Sequence, residues 1–150
     1  MLNEDAYKNA REDLNRLACP FEKAILRGCC GCELSHKNYI AERELIACKS
    51  AVARENCRTL RGLLHQNALF TLKLTHLSDL LPHAKDMKLQ CGGMLGLQRI
   101  FATDDSVPQT TVSNIHGLVL AAQEKFGNME NLPYSEIVIS IAHYESRRRS

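Results

Sequence analysis

Tryptophan is absent from this 150-residue chain, and aromatic residues make up only 5% of it. That leaves little basis for a surface that stacks nucleic-acid bases. Charge of one sign is scarce too. The 19 Lys and Arg residues against 17 Asp and Glu leave a net +2, too small an excess to argue for a nucleic acid or a membrane surface as partner. No run approaches the roughly 18 apolar residues of a membrane helix. The opening residues, Met1-Leu2-Asn3-Glu4-Asp5, carry two acids and no basic-then-apolar pattern. This speaks against a secretory signal and for a cytoplasmic protein.

Catalytic signatures are missing as well. No nucleophile elbow or Ser-His-Asp pattern is present. Glu42, Glu44 and Glu55 are spaced like a solvated helical face and lack the Glu-x-x-His arrangement of di-iron bundles. Gly92-Gly93-x-x-Gly96 has neither a preceding strand nor the Gly-Lys-Ser/Thr ending of a phosphate loop. Apart from what thiols can do, no enzymatic constellation is visible.

What the chain does have is cysteine. Six of its seven fall between Cys19 and Cys57, at 19, 29, 30, 32, 48 and 57, and the seventh, Cys91, precedes Gly92-Gly93. A core has no packing reason to place three thiols in the four residues 29–32. Soft-metal ligation or thiol–disulfide exchange does. In a reducing compartment a disulfide framework is not expected, and the odd count opposes complete pairing.

The punctuation reads as helical throughout, giving one all-α domain over residues 1–150. The expected architecture is a compact bundle of about five to seven helices with a Cys-rich loop between the second and third. Asn3 would cap a first helix over 4–18. Pro20 opens a second, and residues 28–35 form the loop, with Gly28 and Gly31 permitting unusual backbone angles. A third helix is expected over 36–47. Ser50 caps the strongest helical run, from 51 to about 77, with Ala53, Cys57, Leu60, Leu64 and Ala68 on its apolar face. A fifth helix opens at Pro82 and stops at Cys91-Gly92-Gly93. Residues 94–102 look helical, and 103–108 are a surface loop. Thr110 or Thr111 would cap a helix ending at Phe126-Gly127. Pro133 opens the last helix, over 134–148, for which the β-rich Ile137-Val138-Ile139 makes a strand the rival. Arg147-Arg148-Arg149 then suits a solvated helix end.

The candidate metal ligands are Cys19, Cys30, Cys32, Cys48, Cys57 and Cys91. Cys29 stands outside this pool, because adjacent cysteines rarely ligate one centre together. Cys19, at a helix start, is expected to have a lowered pKa. Cys57 lies some 13 Å from Cys48 if the helix between them is regular, at ~1.5 Å per residue, so a cluster spans the set more easily than one ion. The spacing matches neither the ferredoxin run nor the paired knuckles of a zinc ribbon. Six or seven thiols exceed zinc's four, which favours an iron–sulfur cluster with zinc as the alternative. Four scattered methionines give no copper motif.

The bland readings are a buried small apolar residue for Cys57 and Cys91, and a surface residue for His36, the histidine best placed to join a metal site. The 82–93 segment reads as an amphipathic helix with a glycine cap, or as one wall of a pocket over the cluster. The expected role is electron transfer, redox sensing or cluster delivery with a redox or interaction partner protein, and no nucleic acid or membrane. A zinc-stabilised interaction module is the alternative, and a thiol–disulfide protein using Cys19 or the vicinal pair comes third.

Overall fold

A computed structural model describes residues 17–76, 81–102 and 110–145. The expected helix over 4–18, the loop at 103–108 and the arginine-rich end lie almost wholly outside these. A short helix α1, Glu22–Arg27, follows Pro20. It ends where Gly28 adopts a left-handed φ of 90°, and the amides of Gly28 and Cys29 turn back onto the Ala24 carbonyl. This is the glycine-terminated helix end that a residue with a Cβ resists.

The all-α expectation is overturned next. Residues expected as a third helix form an antiparallel hairpin, β1 (Ser35–Ile40) with β2 (Arg43–Cys48), registered Ser35 to Cys48 and Ile40 to Arg43. Local propensity loses here to tertiary hydrogen bonding. The outer edge of β2 is claimed by the chain before α1. Cys19 N–H donates to the Ile46 carbonyl at 3.0 Å and Cys48 N–H to the Leu17 carbonyl at 2.7 Å. The Glu22 carboxylate accepts from Ile46 N–H at 2.7 Å. Leu45, Ile46, Ala47 and Cys48 are all buried in consequence. The hairpin turns on Ala41 and Glu42, whose φ angles of 51° and 70° are both left-handed, as a two-residue hairpin loop demands.

Helix α2, Ala51–Asn67, is capped by the Ser50 hydroxyl, which accepts from Ala53 N–H at 3.1 Å. Its apolar stripe of Ala53, Cys57, Leu60 and Leu64 is buried as expected, and so is Ala68. The helix stops ten residues earlier than its pattern predicts, in turns over 68–73. The next helix does the opposite and runs through its expected stop. α3 (His83–Met87) passes into a π-helical turn (Lys88–Gly92) and on into α4 (Gly93–Ile100).

Gly92 and Gly96 are therefore not caps. They sit where α4 and its π turn meet the last helix, α6 (Tyr134–His143). A Cβ on Gly92 would stand 2.7 Å from the Ile141 Cα, and one on Gly96 3.0 Å from the Ile137 carbonyl. Ile137-Val138-Ile139 is helical, so the strand alternative does not occur. α5, Ile115–Phe126, completes the core with buried Val119 and Ala122. The described architecture is a helical body carrying one two-stranded sheet.

A buried polar network ties three of these helices together. Asp86, 7% exposed, receives Lys23 at 3.0 Å and Arg61 at 2.7 Å. Gln90 Nε2 also donates to it at 3.1 Å, and Gln90 Oε1 accepts from Ala24 N–H. Burial pushes the Asp86 carboxyl towards the neutral form, but Lys23, Arg61 and Gln90 outweigh it and hold the pKa below the ordinary value.

Two outcomes follow from these placements. A depressed carboxyl contributes stability that is present above its unfolded pKa and is lost as pH falls through the folded one. Urea melts from neutral pH down to about pH 3, below the unperturbed Asp value of about 3.9, should show a fall in stability that shrinks in Asp86→Asn. Glu42→Gly should stabilise the fold by about 1 kcal/mol by relieving a left-handed residue, read as a higher urea midpoint at unchanged slope.

Candidate metal centre and a second thiol group

The pool of six expected ligands divides between two places. Cys19, Cys32, Cys48 and Cys57 line one cavity, walled by Pro20, Leu34, Ala47, Ala53 and Ile115 and edged by Arg54 and His116. Each comes from a different element. Cys19 precedes α1, Cys32 lies in the loop after it, Cys48 ends β2 and Cys57 is on the second turn of α2. Cys48 and Cys57, expected about 13 Å apart along a regular helix, line the same cavity, and the chain between them is extended at Ser50 rather than helical. The Cys48 thiol donates to the Ser50 carbonyl at 3.2 Å.

The Cys-rich loop is held against the far end of the sequence. Gly31 N–H donates to the Val112 carbonyl at 2.8 Å, Val112 N–H to Cys29, and Ile115 N–H to Gly31. Glu33 N–H adds a bond to the Asn114 side chain. Gly31 is needed for this approach, since a Cβ there would stand 3.0 Å from the Ser113 carbonyl oxygen. The same pairing brings His116 to the cavity rim, 4.0 Å from the Glu33 carboxylate. His36, the histidine favoured by sequence, is exposed on β1 instead. Nothing in the spacing of His116 marks it for this position; only the pairing of residues 29–33 with 112–115 does.

Burial governs the thiols. Cys19 is pushed up to about 12, chiefly by desolvation, against a lowering contribution from Phe21 N–H, which donates to its sulfur at 3.4 Å. This overturns the expected lowering at a helix start: α1 has only six residues, and desolvation dominates. Cys57 also rises to about 12 through burial, then through Cys19, Cys32 and Cys48. That last influence marks the four sulfurs as neighbours. A cation entering here displaces protons as it binds.

Among the described residues no three His, Cys, Asp or Glu side chains stand ready to hold a single metal ion. The cavity that the four cysteines help to line has about 20 Å³ of space, room for about one water.

Cys30 and Cys91 lie apart from this cavity, with Cys29. The Cys30 thiol donates to Cys29 Sγ at 3.8 Å, and the Cys91 thiol to Met87 Sδ at 3.7 Å. The Cys30 neighbour and burial push the Cys29 thiol up to about 12, and the Cys29 neighbour and burial push Cys91 up as well. Residues 82–93 form helix and π turn and do not line the four-cysteine cavity. None of the seven cysteines is paired in a disulfide.

Comparisons with family models, with curated proteins and with solved structures return no match, so the chemistry of the site is read from its own geometry. Ser50→Ala should cost about 1 kcal/mol through the lost cap, seen as a lower denaturation midpoint.

Proposed function

We propose that the protein holds an iron–sulfur cluster on Cys19, Cys32, Cys48 and Cys57, in an electron-transfer, redox-sensing or cluster-delivery role. The observation that carries this is the convergence of four cysteines from four separate elements on one cavity. Cys30 and Cys91 then drop out of the ligand pool, and His116 and Arg54 join the surroundings. When bound, the cluster supplies one-electron chemistry at a potential set by charge, hydrogen bonds to sulfur and burial.

The chain's own groups act on that potential. Phe21 N–H donates to Cys19 Sγ, and Arg54 at the cavity edge places a cation beside the thiolates, its Nε donating to the Ala18 carbonyl at 2.8 Å. Cys19 and Cys32 are only partly buried, which gives a partner protein a short approach. No helix among the described residues is long and apolar enough to cross a membrane. Seven free thiols suit a reducing compartment, and we place the protein in the cytoplasm.

A zinc-stabilised interaction module is the second reading, favoured by the count of four thiols, which meets zinc's closed tetrahedral shell. Anaerobic purification with iron, acid-labile sulfide and zinc analysis separates the two. Iron with equimolar sulfide, lost in Cys57→Ala and kept in Cys91→Ala, supports the cluster. Arg54→Gln should then shift its potential to more negative values in a spectroelectrochemical titration. Stoichiometric zinc without sulfide supports the module. A protein free of iron and sulfide after reconstitution sinks the cluster.

A further inference from the structure

We propose that the four-cysteine cavity is gated: the seam between residues 29–33 and 111–116 parts to open it, and the Asn114 side chain is the latch. As a route for metal entry the gate rests on the centre proposed above; as a motion of the chain it does not. Among the described residues, every one that lines the cavity lies between Cys19 and Cys57 except Ile115 and His116. One wall is therefore brought from elsewhere in the sequence, and the seam is the only join that holds it to the Cys-rich loop.

That join is made mostly of main chain. Gly31 N–H donates to the Val112 carbonyl at 2.8 Å, Val112 N–H to the Cys29 carbonyl at 2.9 Å, and Ile115 N–H to the Gly31 carbonyl at 2.8 Å. Val112 and Ile115 are the buried apolar anchors of the strap, while Thr111 and Ser113 are exposed. Few buried apolar contacts and exposed neighbours mark a segment that opens locally, without unfolding the whole chain.

Asn114 makes the seam a two-position element. It stands at the N-cap of α5 with φ −149° and ψ 100°, the extended backbone of a capping residue, and its carbonyl accepts from Leu118 N–H at 3.1 Å. A capping side chain accepts from an amide in the first turn of its own helix. Asn114 instead directs Oδ1 outside α5, where it accepts from Glu33 N–H of the Cys-rich loop at 3.0 Å. The alternative is close at hand. A Cβ on Gly117 would stand 3.1 Å from Asn114 Nδ2, so the amide group already lies beside the third residue of α5. Side-chain rotation exchanges the Glu33 amide for the Gly117 amide, and Glu33 N–H passes to water. Shut, the side chain ties loop to strap; open, it caps its helix. The recovered cap offsets the bond that opening breaks, and Cys48 and Cys57, both buried in the shut form, become reachable.

The test uses the full chain freed of metal, pulsed with N-ethylmaleimide so briefly that no molecule gains a second label, with each cysteine read by peptide mass spectrometry. Cys48 and Cys57 should react at least about tenfold faster than Cys91, which is fully buried and reports global unfolding. Asn114→Ser keeps a capping hydroxyl but is one bond too short for Glu33 N–H, so it favours the open form. It should raise the Cys48 and Cys57 rates by about two- to tenfold, the equilibrium effect of one hydrogen bond. Asn114→Ala removes a bond from both forms and should leave those rates near wild type. Should either variant fail to fold, hydrogen exchange in the wild-type chain decides: peptides 29–34 and 110–116 should exchange ahead of the middle of α2. Equal labelling of Cys48, Cys57 and Cys91 overturns the gate, as do seam peptides that exchange no faster than α2. Ser and Ala variants with the same Cys48 and Cys57 rates overturn it too, since a merely structural bond predicts that. Because the labelling is done without metal, a protein that never takes up iron fails the proposed centre and leaves the gate standing.

Discussion

The carboxylate of Asp86 holds the arrangement of this molecule in place. Lys23 of α1 and Arg61 of α2 both close on it, and Gln90 of the π turn bonds it while capturing the Ala24 amide of α1. Three elements that are far apart in sequence are thereby fixed at one point. Those same elements carry the sulfurs: Cys19 and Cys29 flank α1, Cys57 lies on α2 and Cys91 is in the π turn. A buried carboxylate with its donors removed would leave an uncompensated charge, so the network works all together or not at all. Positioning of both thiol groups therefore depends on an ion cluster that contains no cysteine.

The extra residue of the π turn has a related effect. It lets one helix face two ways, with Asp86 and Gln90 towards α1 and α2, and Gly92 and Gly96 towards α6. The glycines allow α6 to approach until its backbone, rather than its side chains, forms the contact. Tyr144, just past the end of α6, is thereby brought against Gly92. The packing of helix on helix and the placement of Cys91 are set by the same short stretch.

Much of this was legible in the sequence, and what was not has identifiable causes. The stripe on α2, the Ser50 cap, the start of α6 at Pro133 and the glycine-ended α1 all follow from local rules, because there local preference and tertiary packing agree. The hairpin was hidden for two reasons. Its turn is Ala41-Glu42, where the left-handed angles usually advertise themselves as Asn-Gly. Its second strand is also built largely from Arg, Glu, Leu and Ala, good helix formers overruled by bonding to Leu17 and Cys19. Gly92-Gly93 reads as a stop when only sequence is considered, but Gly92 is a contact surface for α6 and Gly93 one for Leu64 of α2. Crowding of the thiols was plain, but their division into two groups was not. Cys30 and Cys32, two residues apart, go to different sites because the pairing of residues 29–31 with Val112 turns them apart.

That pairing also sets an order of assembly. Residues 19–57 contribute all four sulfurs of the quartet, yet the loop carrying Cys32 is held in place by Val112 and Asn114, and Ile115 and His116 close the cavity wall. During synthesis the sulfurs leave the ribosome more than fifty residues before the segment that encloses them. At roughly 5–20 residues per second, the nascent chain spends seconds with its thiols synthesised but not yet enclosed. Long-range closure of this kind is slow compared with helix formation. In chain order, the cysteines come first and their enclosure last.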